Sequence, residues 1–99
     1  MAAISFEAFQ ATLDDGAPPV GAGPALAAMW HEAKGDWRAA HQLAQSQDDA
    51  DGAWVHAYLH RVEGDLSNAG YWYRRAGKPA SQQPLRDEWT AIVKALLAE

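Results

Sequence analysis

Residues 57–69 read AYLHRVEGDLSNA, and residues 28–40 read AMWHEAKGDWRAA. Laid over each other without a gap, they match at Ala28 and Ala57, His31 and His60, Gly35 and Gly64, Asp36 and Asp65, and Ala40 and Ala69, each pair 29 residues apart. An internal repeat of this kind means that one supersecondary unit is built twice. Each matched residue has a physical job in a helical hairpin. Small alanines let two helix backbones approach, glycine supplies the left-handed turn, and aspartate caps the returning helix.

Working outward, Pro24 suits the first turn of a helix, and Leu26, Met29, Trp30 and Ala33 follow at helical spacing as far as Gly35. Asp36 opens a second helix with Trp37, Ala40, Leu43 and Ala44 on one face, ending near Ser46 in the polar run SQDDADG. The second copy runs from about Asp51 through Trp54, Val55, Tyr58, Leu59 and Val62 to Gly64. Asp65 then starts a helix that turns Leu66, Ala69, Trp72, Tyr73 and Ala76 inward before Gly77 and Pro79.

Ser5 is positioned to cap a first helix over residues 6–14, with Ile4 and Phe9 as its hydrophobic staple. A last helix begins near Pro84, places Asp87 and Glu88 in its first turn, and buries Leu85, Trp89, Ile92, Val93 and Leu96. No segment alternates with period two. The expected fold is therefore all-α, with about six helices in one domain: an N-terminal helix within 1–15, a Gly/Pro-rich linker at 16–23, two hairpins over 24–79, and a capping helix over 82–98.

Ninety-nine residues suffice for a single core. The chain has no cysteine, which excludes disulfides, thiolate metal sites and cysteine nucleophiles. A net charge of −5 argues against general nucleic-acid binding, which needs a basic surface. No run approaches the ~20 apolar residues of a membrane span, and the N-terminus lacks the pattern of a secretory leader, so the expected compartment is the cytoplasm. Charge is uneven: residues 1–51 carry eight acids against Lys34 and Arg38, whereas Arg61, Arg74, Arg75, Lys78 and Arg86 lie together further on.

The repeat resembles the tetratricopeptide repeat. Ala57, His60, Ala69, Tyr73 and Ala76 fall in that family's register, with GDLSNAGYWYRRA the most typical part; Ala28, His31, Ala40 and Ala44 match more weakly. The chain departs from the pattern where Ala53 and His56 stand in place of Trp and Leu, and in a spacing of 29 residues against the family's ~34. It is also similar to small uncharacterised bacterial proteins of this architecture. The family likeness implies a protein-interaction module whose first helices line a groove, here at Met29, Glu32, Trp54, Tyr58 and Arg61. The implied partner is a peptide, a protein segment or a second copy, as in a homodimer.

Two other chemistries are written in the residues. His56 and His60 are spaced i, i+4 with Glu63 on the same side, a set able to supply ligands to a divalent metal, with hydrolysis as the chemistry such a site can serve. Against that, His60 has an equivalent in His31 at a packing position. Tyr71, Arg74, Arg75 and Lys78 form a Tyr–cation face suited to an anion or nucleotide, or simply a solvated helix end. No GxSxG elbow, HExxH pair or phosphate loop is present, which argues against an enzyme, and no cofactor is called for. The sequence therefore favours a non-enzymatic interaction module, with metal or anion binding as the alternatives.

Overall fold

The computed structural model describes residues 4–99; residues 1–3 of the expected N-terminal segment lie outside the described residues. Six α-helices and no strand occur among the described residues: α1 (Phe6–Ala11), α2 (Pro24–Ala33), α3 (Trp37–Ser46), α4 (Ala50–Val62), α5 (Leu66–Ala76) and α6 (Leu85–Leu97). The all-α expectation and its helix number agree with this architecture.

The two hairpins, α2–α3 and α4–α5, share one turn. Gly35 and Gly64 take φ of +88° and +89°, a region that disfavours any side chain. The amide of Asp36 donates to the His31 carbonyl, and that of Asp65 to the His60 carbonyl, both at 2.9 Å. Each aspartate then caps the returning helix, Asp36 accepting from the Ala39 amide and Asp65 from the Asn68 amide at 3.1 Å. These bonds satisfy helix-end groups that would otherwise lack partners.

The hairpins stack through α3 against α4 and α2 against α4, and α6 lies across α2 and α4, with α1 packed on α6. The core is built from Phe9, Met29, Val55, Leu59, Trp89, Ile92 and Val93, all essentially inaccessible. Trp89 donates its indole N–H to the Met29 carbonyl at 3.0 Å, which fixes α6 on α2 and satisfies a buried donor. A smaller cluster of Ala57, Ala69 and Tyr73 holds the second hairpin together.

Three local expectations are corrected. The first helix stops at Ala11, and Thr12–Asp14 continue as a tighter 3₁₀ turn. α4 starts one residue earlier, capped by Asp49, whose carboxylate accepts the Gly52 amide at 2.9 Å. Leu66 and Leu85, each the first residue of its helix, are exposed, at 68% and 41%.

Candidate functional site: a three-histidine cluster at the hairpin seam

The approach of α3 and α4 is set by a missing side chain. A Cβ on Gly52 would stand 1.9 Å from the Gln47 carbonyl oxygen, so only glycine allows the first turn of α4 to press on the end of α3. Gln47 is itself fixed, accepting from the Ala25 amide at 2.8 Å and donating to Asp49 at 3.1 Å. One turn further along α4 from Gly52, His56 meets His41 of α3.

The Nε2 atoms of His41 and His56 lie 2.9 Å apart. His60, one turn on, stacks on His56 with ring centroids 4.8 Å apart. One ring nitrogen from each of the three histidines falls within 4.8 Å of the others. His60 Nδ1 pairs with Glu63 Oε2 at 2.6 Å. With the proton held at Nδ1 for that carboxylate, the lone pair of His60 is at Nε2.

Two tryptophans brace the cluster. Trp37 stacks on His41 at 4.8 Å, and its indole N–H donates to the Leu59 carbonyl at 2.7 Å. Trp72 of α5 stacks on His56 at 3.9 Å. His56 and His60 are 5% and 6% exposed, whereas His41 is half-buried and gives the cluster its open side. Burial, reinforced by the mutual repulsion of the imidazolium forms, lowers the pKa of His41 and brings that of His56 down to about 4. Both shifts favour the uncharged form of the ring, the form that ligates metal, and in the 2.9 Å contact one Nε2 donates to the other.

Of the expected metal set, His56 and His60 come together, while Glu63 holds His60 from behind. His41 takes the third place. A sequence reading misses it because it lies on another helix, 15 residues from His56, and no periodicity connects the two. Glu63 then has the role typical of a carboxylate behind a ligating histidine, fixing its tautomer and orientation.

The expected groove set is used inside the protein. Met29 is fully buried and Tyr58 is 2% exposed. Glu32 accepts from the Tyr58 hydroxyl at 3.1 Å, and burial raises its pKa. Arg61 donates to Glu88 Oε1 at 2.8 Å and to the Gln83 carbonyl. α6 thus covers much of this side of the hairpins, while Glu32, Trp54 and Arg61 stay half-buried, the Lys78 ammonium lying over the Trp54 ring at 4.2 Å.

The Tyr–cation set divides. Arg75 donates to the Tyr71 hydroxyl at 3.1 Å and lies over Trp72, whereas Lys78 turns to Trp54. Arg74 is exposed and joins neither pair. Glu88, read in the sequence only as a helix-start acid, is 3% exposed and satisfied by Arg61 and by the Tyr73 hydroxyl. Burial, and then the bond to Glu88, push the Tyr73 pKa up.

No helix is long and apolar enough to cross a membrane among the described residues. Protein families, curated proteins and solved structures gave no match to the chain.

Proposed function

We propose that this protein binds a divalent transition metal of the zinc class through His41, His56 and His60, with Glu63 orienting His60. The observation that supports this most directly is the convergence of three imidazole nitrogens within 4.8 Å, two of them on rings that are almost fully buried. Three imidazole nitrogens form a donor set suited to zinc, copper or nickel and poorly suited to magnesium or calcium, which prefer oxygen. Zinc–nitrogen bonds of about 2.0–2.1 Å in a tetrahedron set donors roughly 3.3 Å apart. The His41–His56 contact at 2.9 Å needs only a small opening to reach that.

The stacking tryptophans and the Glu63 bond pre-position the rings, so little ordering remains to oppose binding. The same tryptophans provide a readout. Titration of untagged, metal-free protein with zinc should give one-to-one binding by calorimetry and a raised melting temperature, and nickel or copper should quench Trp37 and Trp72 fluorescence. His41→Phe, which keeps a flat ring on Trp37 but has no donor, should lose both effects. Absence of stoichiometric binding and of any thermal shift in the unaltered protein would sink the reading.

A second reading, a protein-interaction module of the helical-repeat kind, is supported by a cleft of about 230 Å³ bordered by Trp54, Lys78, Gln83 and Ala91. Its test is recovery of a protein partner from native cells with Trp54→Ala as the comparison. Equal recovery with both chains would remove it.

A further inference from the structure

Gly70 is not explained by the chain's own packing. It sits in the middle of α5 with ordinary helical backbone, where glycine is less stable than alanine. A Cβ there would meet nothing closer than the Arg74 side chain at 3.5 Å, an ordinary contact with a flexible group. Gly52 is the contrast, since a Cβ at that position would strike the Gln47 backbone. A helix glycine with room for a methyl group in its own fold points to a close approach from outside.

The repeat shows what this face of a hairpin does. By the 29-residue match, Leu66 and Gly70 stand where Trp37 and His41 stand on α3. Those two residues carry the seam, Trp37 donating to the Leu59 carbonyl and His41 meeting His56 of α4. On α5 the same positions stay open. α6 turns back across α2 and α4, and Leu66 and Tyr71 are left 68% and 45% exposed. Leu66, Gly70 and Arg74 form one ridge of the helix, and Tyr71 flanks Arg74 at i, i+3 spacing. The opposite end of the stack is closed by the chain itself: Ala27, the match of His56, is buried, and Trp30 and Lys34 donate to the carbonyls of Thr12 and Leu13. Head-to-tail stacking of copies is therefore blocked.

We infer that two copies of the chain pair α5 against α5, antiparallel about a two-fold axis near Gly70. Charge sets the direction. α5 is preceded by exposed Glu63 and Asp65 and ends in exposed Arg74, Arg75 and Lys78. Antiparallel pairing brings the acidic start of each helix to the basic end of the other, whereas parallel pairing would align like charges. Gly70 lets the backbones approach, and Leu66 and the Tyr71 ring cover the contact from either side. Such an interface is isologous and closes at the dimer. Carried mainly by one helix of 11 residues, it belongs to the small end of specific interfaces, so the dimer is reversible and of micromolar affinity or weaker.

The test is sedimentation equilibrium of the full chain in the presence of a chelator. A monomer–dimer equilibrium that weakens as salt is raised is expected. Leu66→Lys should weaken it about 100-fold, because the two-fold makes one substitution act twice. Gly70→Ala should raise the melting temperature in dilute solution and yet weaken the dimer, two effects that a purely structural role would move together. A protein monomeric up to about 1 mM, the weak limit of specific affinity, would overturn the proposal and leave the face to a different protein. So would a dimer indifferent to both substitutions, one strengthened by salt, or one formed only with zinc. None of these outcomes bears on metal binding at the histidines, which the zinc titration decides separately.

Discussion

The two hairpins have the same turn, the same capping aspartate and the same helix-facing alanines, yet only one of them presents a buried histidine pair. His31 and His60 occupy equivalent positions. His31 sits edge-on to Trp30 at 5.0 Å, half-buried, while His60 is tied to Glu63 and stacked on His56. The difference comes from their surroundings. Where the second hairpin has His56 and Glu63 the first has Ala27 and Lys34, and where the first has His41 the second has Gly70. The shared residues build the hairpin, and the unshared ones build the cluster. Because His41 belongs to one hairpin and His56 and His60 to the other, the cluster lies on the seam and depends on how closely the hairpins dock.

The largest effect should come from breaking that docking. Gly52→Ala puts a Cβ onto the Gln47 backbone, and relief requires α3 and α4 to part. We expect a loss of about 3 kcal/mol in urea or thermal unfolding, at the upper end for forced overpacking, together with loss of metal binding. Gly23 is the equivalent position of the first hairpin, where a Cβ would meet nothing closer than the Gln47 side chain at 4.0 Å. Gly23→Ala should change stability by less than about 0.5 kcal/mol. Similar unfolding curves for the two variants would mean that the seam is not held by the close approach at Gly52.

Substitutions at the equivalent histidines come next. His60→Asn should abolish stoichiometric zinc binding, whereas His31→Asn should leave it unchanged, although the two residues match in the repeat. Glu63→Gln keeps a hydrogen bond to His60 but removes the charge, and should weaken zinc by about 10- to 100-fold. Isothermal calorimetry on the three variants separates these outcomes, and equal affinity in His60→Asn and His31→Asn would exclude the triad.

The repeat made the fold legible. Gly35, Gly64, Asp36 and Asp65 act through local backbone geometry, which a sequence displays directly, so hairpin turns and helix starts could be placed within a residue or two. The cluster was legible only by half. His56 and His60 share a helix face by periodicity, but His41 joins them through the Gly52 contact, and no spacing rule encodes a contact between different helices. The groove residues show the same limit from the other side. Met29, Tyr58 and Arg61 lie on a consistent helix face, and only the placement of α6, through Trp89 and Glu88, makes that face an interior. Leu66 and Leu85 fit the apolar pattern and are exposed, because periodicity assigns a residue to a face but does not tell whether anything covers the first turn of a helix.

The smallest effect is the pH response of the metal-free protein, and it too separates the hairpins. An unfolded histidine titrates near 6.5, and His56 in the fold is lowered to about 4, first by burial and then by its histidine neighbours. Between those values the unfolded chain holds a proton that the folded chain does not, so the contribution of His56 to stability is fully present above pH 6.5 and is lost as pH falls toward 4. His41 is lowered by the same causes and acts in the same direction. Moving from pH 7 to pH 5 should therefore cost on the order of 1 kcal/mol from this pair. His56→Ala installs the residue that the first hairpin carries at Ala27. It will shift absolute stability by leaving space under Trp72, so the informative quantity is the slope of stability against pH, which should flatten between pH 7 and 5. A slope unchanged in His56→Ala would mean that the acid sensitivity arises outside the seam and that His56 is not the buried neutral ring its surroundings require.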